Sequence, residues 1–500
     1  MNDAATRLNI AGAIVLGGNS SISVDGGDAD SFVTLSGIIS DGGSGYSLAI
    51  NDDAGGWAVT NDIIRLTGAN TFTGDISLAE GILEFDTVTN ISGGASALGN
   101  GAGISMAGGT LRFIGSSPQS TDRPITTTGS ATLSTNGATP TDSITFNGPI
   151  TQVTNNSLTL GGAAGQVGNI NGGITQVGDT ADLTVNGGTW HIGTGTSRIG
   201  DDATVTGADT VLNLGSGVLQ VRDDFTVTAG ASLNITATGA LSFNVATLSA
   251  DASLRATTGG TITIDALNAV DPTQFDAFRI GTDAAGIGTL VLNANQTVTE
   301  FILGNRTLDN EGLVNGSGIL TVGANLDLYE GTINANLAST GSTAFEKIGP
   351  ESVTLKGDNR GLASTGDTTV HEGTLILDYT AQNNAKISPI EPLDMRGGNL
   401  VLSGNDSAST SQAVGGLLLN TTGGNNSITL NKGAGGNDIL LTLGNITRAN
   451  SGQDATIRFY LPVGTQTATN GITTSSPNSL FGTLGTATTA SADAAYATVN

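Results

Sequence analysis

Apolar and polar residues alternate along almost the whole chain, in short runs punctuated by glycine, asparagine and aspartate. Leu8-Asn-Ile10 and Ser21-Ile-Ser-Val24 begin the series, separated by Gly17-Gly18 and followed by Gly26-Gly27. Alternation with period two sends successive side chains to opposite faces, which is the signal of half-buried strands. No convincing helical period exists. The nearest stretches are Ala266 to Phe278, which Pro272 interrupts, and the Ala/Ser-rich Thr488 to Ala495. The pattern predicts an all-β chain.

One pattern recurs. Thr73-Gly-Asp-Ile-Ser-Leu-Ala-Glu-Gly-Ile-Leu-Glu-Phe85 returns as Thr365-Gly-Asp-Thr-Thr-Val-His-Glu-Gly-Thr-Leu-Ile-Leu377. Each copy is led in by Leu-x-Gly-x-Asn (Leu66 to Asn70, Leu355 to Asn359). Each is followed by a Met-x-Gly-Gly-x-Leu unit (Met106 to Gly115, Met395 to Gly404). Such self-similarity marks a repeat architecture. Leu83 and Phe85 in one copy, Leu375 and Leu377 in the other, are expected to point inward. Ile82, Glu84, Thr374 and Ile376 are expected outward. Gly81 and Gly373 stand where a corner needs a residue tolerant of positive φ. The strand before the corner carries Ile76 and Leu78, or Thr368 and Val370. In the Gly-Gly units Leu111 and Phe113, and Leu400 and Leu402, face inward. A third version, Gly187-Gly188-Thr-Trp-His-Ile192, puts Trp190 and Ile192 on one side and His191 on the other.

Weaker versions run from Gly217-Val-Leu-Gln-Val221 to Gly318-Ile-Leu-Thr-Val322, at intervals from one strand to roughly a full coil. Coils of three short strands joined by loops of variable length produce such intervals; uniform hairpins do not. The fold class expected is therefore an all-β parallel β-helix, a solenoid forming a single elongated body. Rungs of ~22 residues stacked ~4.8 Å apart would make a rod on the order of 100 Å long. Antiparallel meanders are the competing arrangement, with Asn136-Gly137, Asn147-Gly148 and Asn171-Gly172 as their turns.

Composition agrees with a thin core. The 75 glycines are about twice ordinary usage, whereas the 10 prolines exclude collagen and Pro-rich linkers. Aromatic residues are 4% and charged residues 12%, with a formal net charge of −26 against only 17 Lys+Arg. Such a chain has no electrostatic footprint for nucleic acid or anionic lipid. The absence of cysteine excludes disulfide, Cys-based zinc and thiol chemistry. No stretch approaches the ~20 apolar residues of a membrane span, and the first residues lack a signal peptide's basic and apolar regions. Both ends read as cuts in a longer protein, with any export barrel, signal or anchor outside this sequence.

At the repeats the sequence resembles bacterial autotransporter passenger domains, in particular their passenger-associated transport repeat. The residues that carry the resemblance are Leu66-Thr-Gly-Ala-Asn-Thr-Phe-Thr-Gly74 with Glu80-Gly-Ile-Leu83, and Asn315-Gly-Ser-Gly-Ile-Leu-Thr-Val322 through Tyr329-Glu-Gly-Thr-Ile-Asn-Ala-Asn-Leu337. The second run continues into Phe345-Glu-Lys-Ile-Gly349 and Val353-Thr-Leu-Lys-Gly357, and Phe459-Tyr-Leu-Pro-Val-Gly-Thr-Gln466 also fits. The resemblance implies a right-handed β-helix, export through the outer membrane and display at the cell surface or outside it. It implies no reaction. The expected organisation is N-terminal rungs over 1–62, a first repeat block over 63–117, degenerate rungs over 118–314, a second block over 315–404 and further β-rich rungs over 405–500.

Candidate chemistry is sparse. His191 and His371 are isolated, and His371 aligns with Ala79 of the first copy. Acidic pairs occur at Asp52-Asp53, Asp201-Asp202 and Asp223-Asp224, with Arg198 and Arg222 near two of them. Carboxylates gathered on one face of a β-helix can act as acid and base or hold Ca²⁺, but acids on a solvated corner explain these pairs more simply. Gly433-Ala-Gly-Gly-Asn-Asp-Ile-Leu440 is close to a Ca²⁺-binding nonapeptide that lacks its tandem copy. The four lysines are Lys347, Lys356, Lys386 and Lys432. No residue is assigned a catalytic, cofactor-binding or metal role, and no cofactor is expected. The function expected is a non-enzymatic stalk or adhesive passenger whose partners are surface glycans or other cell-surface molecules. The alternative is a polysaccharide-binding or polysaccharide-cleaving β-helix.

Overall fold

Neighbouring strands run parallel and pair residue for residue, so like stacks on like. Leu83 pairs with Leu111, Leu111 with Leu133 and Leu133 with Leu160. In a second sheet Ile76, Ile104, Ile125, Ile150 and Ile174 form an unbroken isoleucine column. All of these residues are buried. Each such side chain contributes roughly 1.5–3 kcal/mol, and its column fills the thin core that few aromatics could not.

The structure is a computed structural model. It describes residues 7–24, 31–51, 62–178, 180–236, 239–243, 253–257, 259–265, 268, 270, 277–281, 286–305, 311–341, 343–362, 366–420, 425–448, 455–475 and 497–499. None of these is helical. The chain divides into two compact units, Met1–Ala252 and Ser253–Asn500. Within each, the parallel β-solenoid expected from the alternation is present. Antiparallel meanders are ruled out, because the named strands pair in parallel throughout. The Asn-Gly pairs instead turn corners between successive faces: Asn147 and Gly148 follow Ser143–Phe146, and Asn171 and Gly172 follow Val167–Ile170.

In the first unit a coil has three faces. Ala131–Thr135 lies in the first sheet, Ser143–Phe146 in another and Ile150–Gln152 in the next, after which Leu158–Gly162 returns to the first. In the second unit two of these faces merge. Ile319–Leu328 is one bent strand whose first half pairs with Asn336–Ser339 and whose second half pairs with Ala344–Lys347. Gln296–Leu303 bends likewise, at a register shift between Val298 and Glu300. A bulge turns the corner without leaving the ladder, which the expectation of three separate strands did not include. The first possible helix lies mostly outside the described residues, and its last two residues begin the strand Ala277–Ile280. Thr488 to Ala495 lies wholly outside them.

Both copies of the repeat are strand, glycine corner, strand. Ile76–Leu78 and Ile82–Phe85 lie in different sheets, as do Thr368–Val370 and Thr374–Asp378. Gly81 and Gly373 have φ of 70° and 65°. Leu83, Phe85, Leu375 and Leu377 are buried as expected. The Gly-Gly units are the next rungs of the same columns, since Phe85 stacks on Phe113 and Leu377 on Leu402.

The lead-in asparagines fasten three rungs together. Asn70 is buried; its Oδ1 accepts the Ile39 N–H at 2.8 Å and its Nδ2 donates to Ala97 O at 2.7 Å. Asn359 does the same between Leu337 N and Lys386 O. A buried side-chain amide that replaces missing ladder bonds satisfies backbone groups that would otherwise be orphaned.

Candidate functional surface

The outer columns are as regular as the inner ones. On the first sheet Thr132, Thr159, Thr184, Thr204 and Thr226 pair in succession. On the third sheet of the first unit Asn169, His191, Asn213 and Asn234 do so. Their amides bond along the column, Asn234 Nδ2 to Asn213 Oδ1 at 2.8 Å. His191 is half-buried in this ladder, and burial pushes its pKa down. His191 is thus a member of a polar ladder, with Trp190 on the opposite face. Trp190 is fully buried, and the absence of a side chain on Gly168 makes room for its ring. In the second unit His371 Nε2 lies 3.4 Å from Glu346 Oε2 on a partly exposed surface.

The acidic pairs meet on one corner. Asp182, Asp202 and Asp224 each precede a strand of the first sheet, namely Leu183–Val185, Ala203–Val205 and Phe225–Val227. The first two carboxylates receive the next rung: Asp202 N–H donates to Asp182 Oδ1 at 3.4 Å, and Asp224 N–H to Asp202 Oδ1 at 3.0 Å. Asp201, Asp202 and Asp223 bring one carboxylate oxygen each to within 4.8 Å of one another. Three carboxylates this close can share a proton or hold a cation. The spacing is tighter than the ~5–9.5 Å that separates a glycosidase's acid from its base. Arg198 is exposed on the strand Thr196–Ile199, and Arg222 is half-buried. Asp52 and Asp53 lie outside the described residues.

Burial first, and then the neighbouring Asp201, Asp224 and Asp223, push the Asp202 carboxyl up to about 6. The folded state therefore holds this proton between about pH 6 and the ordinary 3.8, where the unfolded chain has lost it. Stability from this group grows as pH falls through that window, and its ionisation costs stability above pH 6. Asp202→Asn keeps the acceptor for Asp224 N–H and removes the charge. After discounting for half-exposure, it is expected to stabilise the protein by about 1 kcal/mol at pH 7 and by little at pH 4. Thermal melts of both proteins at the two pH values check this, and a destabilised variant at pH 7 would contradict it.

The Gly433 to Leu440 stretch is tied to neighbouring segments by hydrogen bonds. Ala434 N–H donates to Asp406 Oδ1 at 2.6 Å, and Asn437 Nδ2 donates to Asp406 O at 3.1 Å. Asp438 receives Lys432 Nζ at 3.2 Å and Thr469 Oγ1 at 2.9 Å.

Sequence reasoning missed the cations that face inward. Arg123, Lys347 and Lys386 are fully buried. Arg123 donates to Leu98 O and Gly99 O, and Lys386 to Lys356 O and Gly357 O. These carbonyls lie at corners, where no strand partner reaches them. On the outer face Glu84 is covered by Arg65 at 2.6 Å and Arg112 at 3.2 Å. Glu84 therefore points outward as expected and is nonetheless buried.

No protein-family model matches the chain. No solved structure matches it either. Over 458 residues, 90% of this chain, it is 29% identical to a protein of Brucella suis biovar 1 (strain 1330) named Adhesin BmaC autotransporter, and it spans 11% of that protein's length.

Proposed function

We propose that this chain is a non-enzymatic, adhesive stretch of an autotransporter passenger displayed at the bacterial surface. The observation that carries the reading is that the similarity to a named adhesin runs along nearly the whole of the chain rather than one end of it. The architecture supports it. Each rung bonds to its neighbours, so such a body grows by repetition and presents long columns of polar side chains. Threonine and asparagine columns offer hydroxyls and amides at the strand spacing of ~4.8 Å. That is a surface suited to many weak polar contacts in parallel, and weak contacts made together give avidity. The two repeat blocks, 63–117 and 315–404, supply generic strand-corner-strand units, and specificity resides in the variable loops between rungs.

The test is adhesion of the purified chain. Beads coated with it are expected to bind host-cell monolayers saturably, and soluble chain is expected to compete. Binding no higher than that of albumin-coated beads would reject the adhesive reading. Release of reducing ends from plant or bacterial polysaccharides would reject the non-enzymatic one.

A further inference from the structure

In the second unit the face that begins with the first half of Ile319–Leu328 loses its ladder. Ile319–Val322 pairs with Asn336–Ser339, but among the described residues the next rung keeps a single bridge, Ala338 to Gly361. Asn359 turns into the core there, and Asp358 and Arg360 flank it on the surface. The break leaves an open groove of about 440 Å³ lined by Ile319, Asn336, Ala338, Asp358, Arg360 and Gly361. Its size lies within the range of small-molecule sites.

We propose that this groove binds a neutral pyranose sugar through adjacent hydroxyls; the inference rests on the adhesive reading above and gives it a ligand. Asp358 accepts Arg360 Nε at 2.9 Å and Nη2 at 2.6 Å, so the guanidinium is held in one plane. Arg360 Nη1 is left to donate outward. Asn336 Oδ1 accepts Asp358 N–H at 2.8 Å, which leaves Asn336 Nδ2 as a second donor. The carboxylate has lone pairs beyond those used by Arg360. Two donors and an ionised acceptor side by side match a vicinal diol, each hydroxyl of which gives one proton and accepts another. Ile319 and Ala338 offer an apolar floor for the C–H face of the ring.

Charge decides which sugar. The Asp358–Arg360 pair is neutral as a unit and sits in a chain of net charge −26. An acidic sugar would bring its carboxylate beside that of Asp358 and approach a negative surface. The pair has no large role in stability either, because the Arg360 side chain is 68% exposed and exposed ion pairs contribute little. Mutating it therefore tests binding rather than folding.

The test uses saturation-transfer NMR on the whole chain with methyl glycosides of glucose, galactose and mannose, and with N-acetylneuraminic acid as the anionic comparison. At least one neutral pyranoside is expected to give ring-proton signals. Arg360→Ala should reduce them at least tenfold. Asn336→Asp keeps the acceptor for Asp358 N–H and removes the donor, and it should reduce them as well. Arg360→Ala should melt with the parent protein. Absence of signal from all three neutral sugars, a response to the acidic sugar alone, or signals that survive in both variants would each overturn the assignment. Beads that still adhere to cells in any of these cases leave the adhesive reading standing without this groove.

Discussion

Gly373→Val is expected to prevent the Ser253–Asn500 unit from folding, or to cost at least about 5 kcal/mol, a large part of a domain's ~5–15 kcal/mol. Two effects add. Gly373 has φ of 65°, where a β-branched residue is strained by roughly 1–3 kcal/mol. A Cβ there would also lie 2.3 Å from Glu351 O, 2.5 Å from Gly349 O and 2.6 Å from Pro350 O. These are backbone atoms of the rung below and cannot rotate away. Rungs stack at ~4.8 Å, so relief requires opening the stack. Opening it breaks the bonds that cross it here, Thr374 N–H to Glu351 O at 3.2 Å and Asn399 N–H to Gly373 O at 2.8 Å. Gly436 is the control. Its φ is 69° and nothing lies within 4 Å of its Cβ position, so Gly436→Val should cost the backbone strain alone. Urea unfolding of the two variants separates the effects. Equal midpoints would show that the close approach at Gly373 is not real.

Glycine corners and inward columns were legible because strand period and corner chemistry are local. Leu83, Phe85, Leu111, Phe113, Leu375, Leu377, Leu400 and Leu402 are all buried, as parity required. The same parity held a signal that charge concealed. In Ala344–Lys347, Phe345 and Lys347 are two residues apart and so share a face, and both are buried. The inward place of the lysine follows from that parity, although a charged residue type argues against it. The acidic corner was legible in principle too. Asp201 and Asp223 are separated by about one rung, and stacking rungs brings them together. Asp327 shows the same physics in the second unit, its carboxyl pushed up to about 6 by burial and then by Glu300 and Glu346 on adjacent rungs. The merged faces and the groove were not legible. Both depend on where a ladder bulges or breaks, which is settled by several rungs at once.

The second large effect is expected at the same corner as the first. Lys347 stands in an otherwise apolar inward column, Leu328, Lys347, Val370, Met395, Leu419. Its ammonium donates to Ile348 O at 2.9 Å, Gly349 O at 2.7 Å and Glu372 O at 3.3 Å. Gly349 O is also one of the atoms that a Gly373 side chain would strike, so lysine fixes the carbonyls against which glycine packs. Lys347→Met conserves length and apolar contact but leaves three acceptors, one buried and two half-buried, without their donor. Each such acceptor costs roughly 1–3 kcal/mol, partly offset by no longer burying a charge. A net loss of about 3 kcal/mol at pH 7 is expected. The pH dependence tests the cause. Burial lowers the Lys347 pKa from 10.5 to about 8, against the pull of Glu372, Glu351 and Glu330. Between those values the unfolded chain holds a proton that the folded one has released, so the parent protein gains stability as pH rises from 8 to 10.5. The variant lacks this gain. Lys386, lowered to about 8 in the same way, is present in both proteins and cancels. The stability gap between parent and variant should therefore widen from pH 7.5 to pH 10 in urea titrations. A gap that stays constant or narrows would show that burial does not lower the Lys347 pKa.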